Sequence, residues 1–424
     1  MSAPEQVKLS RNRDYRLLWS GQVVSEAGFS TTMIAFPLLV LAITGSAAQS
    51  GLVLGAVAVA QLVAGLPAGA LVDRWPRKRI MLGCEAVQAL GAASLVLALW
   101  WGVAGLAQLV VVALVMGLCR ALFEPAEEAS LPRLVRTEQV SSAVALNAAR
   151  TSAGQLSGTA LGGFLFALGR LVPFVFDVFA HVVAFVSLVF VRLPARREPA
   201  EERPPAHLGR EIVEGLRWVW QQPRVRVTAV CAVVLNLFFA AYYLVIIVLA
   251  TERGIPPGEI GVMAAMLGGG GIAGALAAPY LHRRLSPYLL IIGVFWGLTL
   301  LTPLAVFVHD GYLMGLLFAA MAFLAPAANT TINTYQLLYT PDELRGRLGG
   351  VMGVTGGLAA AFGPAFGGWL VDLLPDSAAV LTCAGAIAVV TVLTTFSRTL
   401  RGFPAVAEVS ELEEPKSTTN PKES

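Results

Sequence analysis

The sequence predicts an all-α integral membrane protein with twelve transmembrane helices in two pseudo-symmetric six-helix bundles, and three observations carry that expectation. Of 424 residues, 56% are hydrophobic and only 13% are Asp, Glu, Lys or Arg, against about 25% charged residues in an ordinary soluble domain. So much apolar surface exceeds what one or two water-soluble cores could bury, which excludes a soluble enzyme. Apolar segments also recur at the length that crosses a ~30 Å hydrocarbon layer, roughly 20 residues per helix. Finally, the chain repeats itself. An offset of 210 sets Gly51 opposite Gly261 and Glu26 opposite Asn236, and an offset of 205 sets residues 157–163 (SGTALGG) on 362–368 (FGPAFGG).

The apolar segments lie at 17–43, 49–72, 80–101, 105–124, 142–169, 171–192, 227–250, 259–281, 287–308, 311–337, 348–373 and 377–397. Lipid forces backbone polar groups to pair within a helix, so each reads as a span. The first follows a polar N-terminus and is too long for the core of a cleaved signal peptide, so it is expected to be retained. Cys84, Cys119, Cys231 and Cys383 fall far apart inside apolar runs, and His181, His207, His282 and His309 are equally scattered. No metal-ligand spacing results, and neither a metal nor a cofactor is expected.

Placing the N-terminus in the cytoplasm puts 26 of the 30 Lys and Arg residues on the cytoplasmic side. Arg170 and Arg253 fall outside, and Arg120 and Arg150 fall within spans. The positive-inside rule therefore predicts an inner (plasma) membrane protein with both termini cytoplasmic. The basic residues are dispersed in short clusters, so no nucleic-acid partner is expected. Four regions follow: an N-terminal bundle (1–192), a cytoplasmic linker (193–226), a C-terminal bundle (227–400) and a disordered tail (401–424). The linker begins rich in Pro and charge. It then sets Ile212, Leu216 and Val219 on one helical face near Trp218 and Trp220, which predicts an amphipathic helix on the inner leaflet.

Residues 69–79 read Gly69, Ala70, Leu71, Val72, Asp73, Arg74, Trp75, Pro76, Arg77, Lys78, Arg79. This connection resembles the signature of the major facilitator superfamily between its second and third helices: a Gly, an Asp-Arg pair, then a basic pair. Pro76 stands where the family usually has Gly. The resemblance implies a conformational latch of Gly69, Asp73, Arg74, Arg77 and Lys78 against the start of the eleventh span near Arg345 and Arg347. A plain positive-inside loop with Asp73 as a helix cap is the alternative. The fifth span carries Gly154, Gly158 and Gly162, and the eleventh carries Gly363, Pro364, Gly367 and Gly368. The latter resembles the Gly-Pro-x-x-Gly-Gly element of superfamily exporters, which in the family belongs to the fifth helix, where this chain has Thr159 in place of Pro. Small residues at this spacing let helices approach closely, for sliding or simply for tight packing. Residues 120–125, 131–135 and 340–347 extend the resemblance to the exporter branch of macrolide efflux proteins and enterobactin-type siderophore exporters.

Two other patterns lead nowhere. Residues 269–274 (GGGIAG) fit Gly-x-Gly-x-x-Gly but lie inside an apolar helix with no preceding strand. The four lysines, Lys8, Lys78, Lys416 and Lys422, form no phosphate loop, so ATP is not the direct energy source.

A charge deep in a span costs at least ~2.5–3.5 kcal/mol on insertion scales unless it faces water or a partner. Glu26 lies about nine residues into the first span, ~14 Å along the helix and near the bilayer midplane. Arg150 lies at similar depth, Asp177 is in the outer part of the sixth span, and Arg120 and Glu124 form an i, i+4 pair. Glu26 is the proton-coupling candidate, because a carboxyl in a partly dry cavity can pass a proton between the two sides. Permanent pairing with Arg150 or Arg120 is the competing reading. Glu85 is expected in the cytoplasmic charge network. In the second half, Asn236, Phe239 and Tyr243 share one helix face, and Asn329 and Asn333 another. In the superfamily the first, fourth, seventh and tenth helices surround the substrate, so Glu26, Arg120, Glu124, Arg150, Asp177 and these five are substrate-cavity candidates; bonding across helices is the structural alternative.

The leading expectation is a secondary exporter of an amphipathic small molecule of the drug, macrolide or siderophore type, a proton antiporter working by alternating access as a monomer in the lipid bilayer. A nutrient importer or uniporter of the same fold, or a non-transporting membrane sensor or scaffold, remains open.

Overall fold

The computed structural model describes residues 9–193 and 208–403. No β-strand occurs among them. Six long helices form the first half: α1 (Arg13–Thr44), α2 (Ala47–Arg74), α3 (Arg77–Trp100), α4 (Leu106–Leu134), α5 (Val140–Leu168) and α6 (Val172–Phe190). A shorter helix, α7 (Leu208–Gln221), precedes the second half. That half comprises α8 (Pro223–Glu252), α9 (Pro257–Arg284), α10 (Pro287–Leu301, continued as a 3-10 turn to Val306), α11 (Gly311–Leu338), α12 (Asp342–Leu373) and α13 (Asp376–Thr395), and the short α14 (Arg398–Arg401) follows. Eleven of the twelve long helices are long and apolar enough to cross a membrane by length and composition. The twelfth, α5, is as long but rich in small and polar residues. It lies between α1 and α9, so much of it needs no lipid-facing surface. Leu90, Trp100, Leu276 and Phe307 are 70–79% exposed, as suits helix faces meeting lipid rather than water.

Local sequence sets the helix ends. Asn12, Ser46, Ser286 and Asp310 each accept a backbone N–H at a helix start. Gly45 and Gly254 close α1 and α8 at φ 67° and 74°, a conformation that a Cβ disfavours.

The two halves use the same helix pairings. In the first half α1 packs on α5 and α6, α2 on α4, and α3 on α4 and α6. In the second, α8 packs on α12 and α13, α9 on α11, and α10 on α11 and α13. Glycines set the closest of these contacts. Gly154, Gly158 and Gly162 of α5 face α1, and Thr31 donates a 2.9 Å hydrogen bond to the Gly158 carbonyl. Gly363 and Gly367 of α12 face Ala240 and Ala241 of α8 in the matching place.

Between the halves, α2 packs on α12 and α5 on α9, again a symmetric pair. Gly51 meets the backbone of Pro364, Gly368 meets that of Ala47, and Gly163 meets Gly261. All these contacts lie at the end of the bundle away from the chain termini. Toward the other end, a Cβ built at Gly65 or Gly69 of α2, or at Gly349, Gly350 or Gly353 of α12, would meet no atom within 4 Å. Contact between the halves thus runs from that end to mid-helix, where Gly55 meets Ala361 and Gly357 meets Leu62; the other end, where those five glycines face open space, is the parted end.

The tail beyond residue 403 and linker residues 194–207 lie outside the described residues. The linker helix differs from its expectation. Val219 is buried with Val225, Leu348 and Val351, and Gly215 abuts Arg347, so α7 docks on α8 and α12 and leaves Val213, Leu216 and Trp220 outward. The apolar side of the linker is thus divided between protein and surroundings, because its small residue, Gly215, lets α12 approach.

Gly158→Val would drive its side chain into Ala27 and Ser30 of α1, and overpacking of this kind costs about 1–3 kcal/mol. The unfolding temperature in detergent should fall, whereas Gly271→Ala, which meets open space, should leave it unchanged.

Candidate functional site

The deep charges gather in the first half. One face of α1 carries Gln22, Ser25 and Glu26, while Arg120, Glu124 and Glu127 of α4 recur at i, i+4 and i+7. Arg120 donates from Nη1 to both Glu26 oxygens, at 3.2 and 3.1 Å, and from Nη2 to Oε1 at 3.2 Å. Its Nε lies 2.7 Å from Glu124 Oε1, and its guanidinium lies over Phe29, 4.4 Å from the ring centre. Glu26 approaches closely because the facing residue is Gly154, where a Cβ would come within 2.7 Å of the glutamate stem. The Glu26 side chain is 14% exposed and Glu124 57%, so one guanidinium bridges a secluded carboxylate and an accessible one.

Arg150 pairs elsewhere. It makes a two-pronged contact with Glu127, at 2.5 and 2.9 Å, and both side chains are 7% exposed. Arg150 thus belongs to a buried ion pair, and Glu26 takes Arg120 as its partner. The Arg150 Nε finds no hydrogen-bond acceptor.

The third group is the most secluded. Glu85 is 1% exposed and accepts from Gln22 Nε2 at 2.8 Å and from Ser25 Oγ at 3.3 Å. This overturns its expected place in the cytoplasmic charge network: α3 turns Glu85 inward against α1 and α6. Its Oε2 lies 2.7 Å from His181 Nδ1, and His181 Nε2 lies 3.4 Å from Asp177 Oδ1 one turn away on α6. Asp177 is 1% exposed, so it lines no open cavity. A pocket of about 60 Å³ is shared by Glu26, Arg120, Glu85, His181, Glu127 and Arg150, with room for about two waters and for no drug-sized molecule.

Among the described residues the second half has no counterpart to this chemistry. Its helix pair α10 and α13, equivalent to α3 and α6, meets through Phe295 and a 2.7 Å contact between the Thr299 and Thr391 hydroxyls. Asn236 is exposed and donates to Ala232 O of its own helix at 2.9 Å. Phe239 and Tyr243 are half-buried, with Tyr243 6.4 Å from the Phe318 ring, and Asn329 and Asn333 are exposed one turn apart. None of these five lines the small pocket.

The latch residues lie at the parted end. Arg77 donates to Ala129 O, Lys78 donates to Val189 O and Val191 O at the end of α6, and Arg347 lies 3.4 Å from Glu214 of α7. Asp73, Arg74 and Arg345 are exposed. Since α12 begins at Asp342, both Arg345 and Arg347 lie within its first two turns rather than ahead of it. At the touching end the structure shows a clamp that the sequence reading missed. Asp372 of α12 accepts from Ser46 Oγ (2.7 Å), Ala47 N (2.8 Å) and Ala48 N (3.0 Å), placing a carboxylate on the N-terminus of α2 across the two halves. His181 and Glu127 were also missed. The available signal was the i, i+4 spacing of Asp177 and His181 in an otherwise apolar span.

The profile of the Major Facilitator Superfamily matches residues 18–364 and 228–422. The chain belongs to that superfamily. Its members are transporters rather than enzymes, and the chain is a multi-pass membrane protein. Among relatives, it is 30% identical over 371 residues to the multidrug efflux pump Tap of Mycolicibacterium fortuitum, covering 82% of this chain and 86% of the pump. It is 26% identical over 202 residues to macrolide efflux protein A of Streptococcus pyogenes, covering 47% and 49%. The fold matches that of the nucleoside transporter NupG at a TM-score of 0.73, 12% identity and coverage of 92% of this chain and 100% of that one.

Glu127→Gln would leave the buried Arg150 uncompensated, a change that costs about 3–5 kcal/mol. A marked drop in unfolding temperature is expected, with the far smaller effect of Glu124→Gln as control. Asp372→Asn should speed hydrogen exchange at the Ala47 and Ala48 amides, read by mass spectrometry, because those donors lose a charged acceptor.

Proposed function

We propose that this superfamily member is a proton-coupled exporter of amphipathic small molecules in the cytoplasmic membrane, with both termini in the cytoplasm. Its similarity to proteins named as multidrug and macrolide efflux pumps supports the export of such molecules. The uneven distribution of basic residues supports the orientation. With that orientation, the parted end opens to the cytoplasm and the Asp372 clamp closes the outside.

The observation that carries the coupling is the shared guanidinium of Arg120. When Glu26 takes up a proton it loses its charge, and Arg120 keeps Glu124 at 2.7 Å, so neither cation nor carboxyl is left uncompensated. A proton arriving from outside would free Glu26 from Arg120, and its release inside would restore the pair. Rocking of the halves about this exchange moves substrate the opposite way. Substrate would sit in the divide, against Phe29 on one side and Asn236, Phe239, Tyr243, Asn329 and Asn333 on the other. In the alternate arrangement, Gly69, Asp73, Arg74, Arg77 and Lys78 would close on Arg345 and Arg347.

Proteoliposomes with an imposed pH gradient test the reading, using a panel of amphipathic antibiotics and a cationic dye such as ethidium. Probe and protons should move in opposite directions, and Glu26→Gln should abolish the dependence on the gradient. Gradient-independent flux in the unaltered protein, or an unchanged gradient dependence in Glu26→Gln, would contradict it.

A further inference from the structure

The buried charges of the first half do not balance. Glu26, Glu85, Glu127 and Asp177 contribute four carboxylates, against Arg120, Arg150 and one imidazole, His181. Glu26 and Glu127 each hold an arginine, which leaves Glu85 and Asp177 with a single histidine between them. Even with the imidazole carrying its own proton, one negative charge stays in a region 1% exposed. Hydrocarbon and packed protein do not tolerate such a charge without a counter-ion. The smallest cation that fits is a proton.

The fold does not require these groups. The equivalent contact of the second half, between α10 and α13, is made by Phe295 and two threonine hydroxyls. The triad is also incompletely bonded. Asp177 Oδ1 and His181 Nε2 are both fully buried and make no hydrogen bond, their 3.4 Å approach being an ionic contact out of line. Gly28 of α1 makes room for that oxygen, since a Cβ there would meet it at 2.9 Å. The other titratable groups facing the triad are Cys84 on α3, Cys119 and Arg120 on α4, Glu26 on α1, and Arg150 with Glu127 behind them. Among the described residues, no three side chains are placed to hold a metal ion.

We infer that Glu85, His181 and Asp177 form a second proton-binding site, which exchanges protons with Glu26 through the small pocket. The inference deepens the proton-coupled reading and rests on it. The pocket touches Glu26, Glu85 and His181 and holds about two waters, enough for a hydrogen-bonded relay. In the step itself, the O–H bond of the Glu26 carboxylic acid breaks and a new O–H bond forms on Glu85 or Asp177. The triad passes from one excess negative charge to none while Glu26 becomes negative and regains Arg120, so the cluster's net charge is unchanged and the electrons stay with their oxygens. The reverse step returns the proton. Ser25, within 3.3 Å of both Glu85 oxygens and of His181 Nδ1, is the hydroxyl that can re-orient as the charge moves.

Infrared difference spectroscopy of the full chain in liposomes, between about pH 8 and about pH 5, tests this without any substrate. The unaltered protein should gain a protonated-carboxyl band on acidification. Part of that band should survive in Glu26→Gln, and that surviving part should be lost when Glu85→Gln or Asp177→Asn is added. A band that vanishes in Glu26→Gln alone, or that ignores both triad substitutions, would overturn the inference. Should the triad variants fail to fold, Ser25→Ala in the Glu26→Gln protein keeps the triad carboxyls but removes the hydroxyl that bonds Glu85, and it should shift the residual band; a residual band that Ser25→Ala leaves unmoved overturns the inference. A triad band in protein without pH-driven flux would overturn the exporter reading alone.

Discussion

A carboxylate surrounded by hydrocarbon needs a cation, water or a proton, and the architecture of this protein follows from how its first half meets that need. Arginines from α4 and α5 neutralise Glu26 and Glu127. Arg120 reaches Glu26 because Gly154 of α5 lets α1 come close, whereas Arg150 reaches Glu127 directly from α5 to α4. Among the described residues, Glu85 and Asp177 share His181. The result is a graded series, from Glu124 at the accessible edge through Glu26 to a triad sealed between α1, α3 and α6. The second half presents an apolar core at the equivalent place. Pseudo-symmetry therefore governs packing, while the buried charged side chains, among the described residues, lie in the first bundle.

The packing symmetry has a simple physical basis. Without a hydrophobic force between helices in lipid, close backbone approach through small residues holds them together. The glycines of α5 and α12 divide that work identically: Gly158 and Gly363 face the first helix of their own half, while Gly163 and Gly368 face the other half. Contacts of backbone on backbone are many but shallow, so two rigid bundles can separate along them without unpacking either core. Asp372 adds a polar element at the touching end. Its carboxylate is an acceptor for helix amides that water could satisfy equally well, which makes it a reversible clamp.

Much of this was legible in the sequence, for reasons that differ by residue. The spans and the two-half build follow from backbone hydrogen bonding in lipid, which leaves helices as the regular solution, and from the offsets that align SGTALGG with FGPAFGG. Glu26, Arg120 and Arg150 stood out because a charge in an apolar run needs a reason. Their pairing did not, since whether Arg120 or Arg150 meets Glu26 depends on helix rotation, which no local pattern records. Glu85 was misplaced because distance from the helix start says nothing about which face is buried. His181 passed unnoticed because histidines were weighed only as metal ligands, although its spacing from Asp177 was visible. Asp372 and the seating of α7 on α12 depend on contacts between elements more than a hundred residues apart, beyond the reach of periodicity.

The central claim is that two rigid bundles exchange openness between their ends as the acidic cluster gains and loses protons. Nitroxide labels at Gly65→Cys and Gly353→Cys, on α2 and α12 at the parted end, and at Leu52→Cys and Phe366→Cys near the touching end, report it directly through pulsed distance measurements in lipid. On passing from about pH 8 to about pH 5, the first distance should shorten as the second lengthens. Distances that ignore pH, or that change in the same direction, would contradict it.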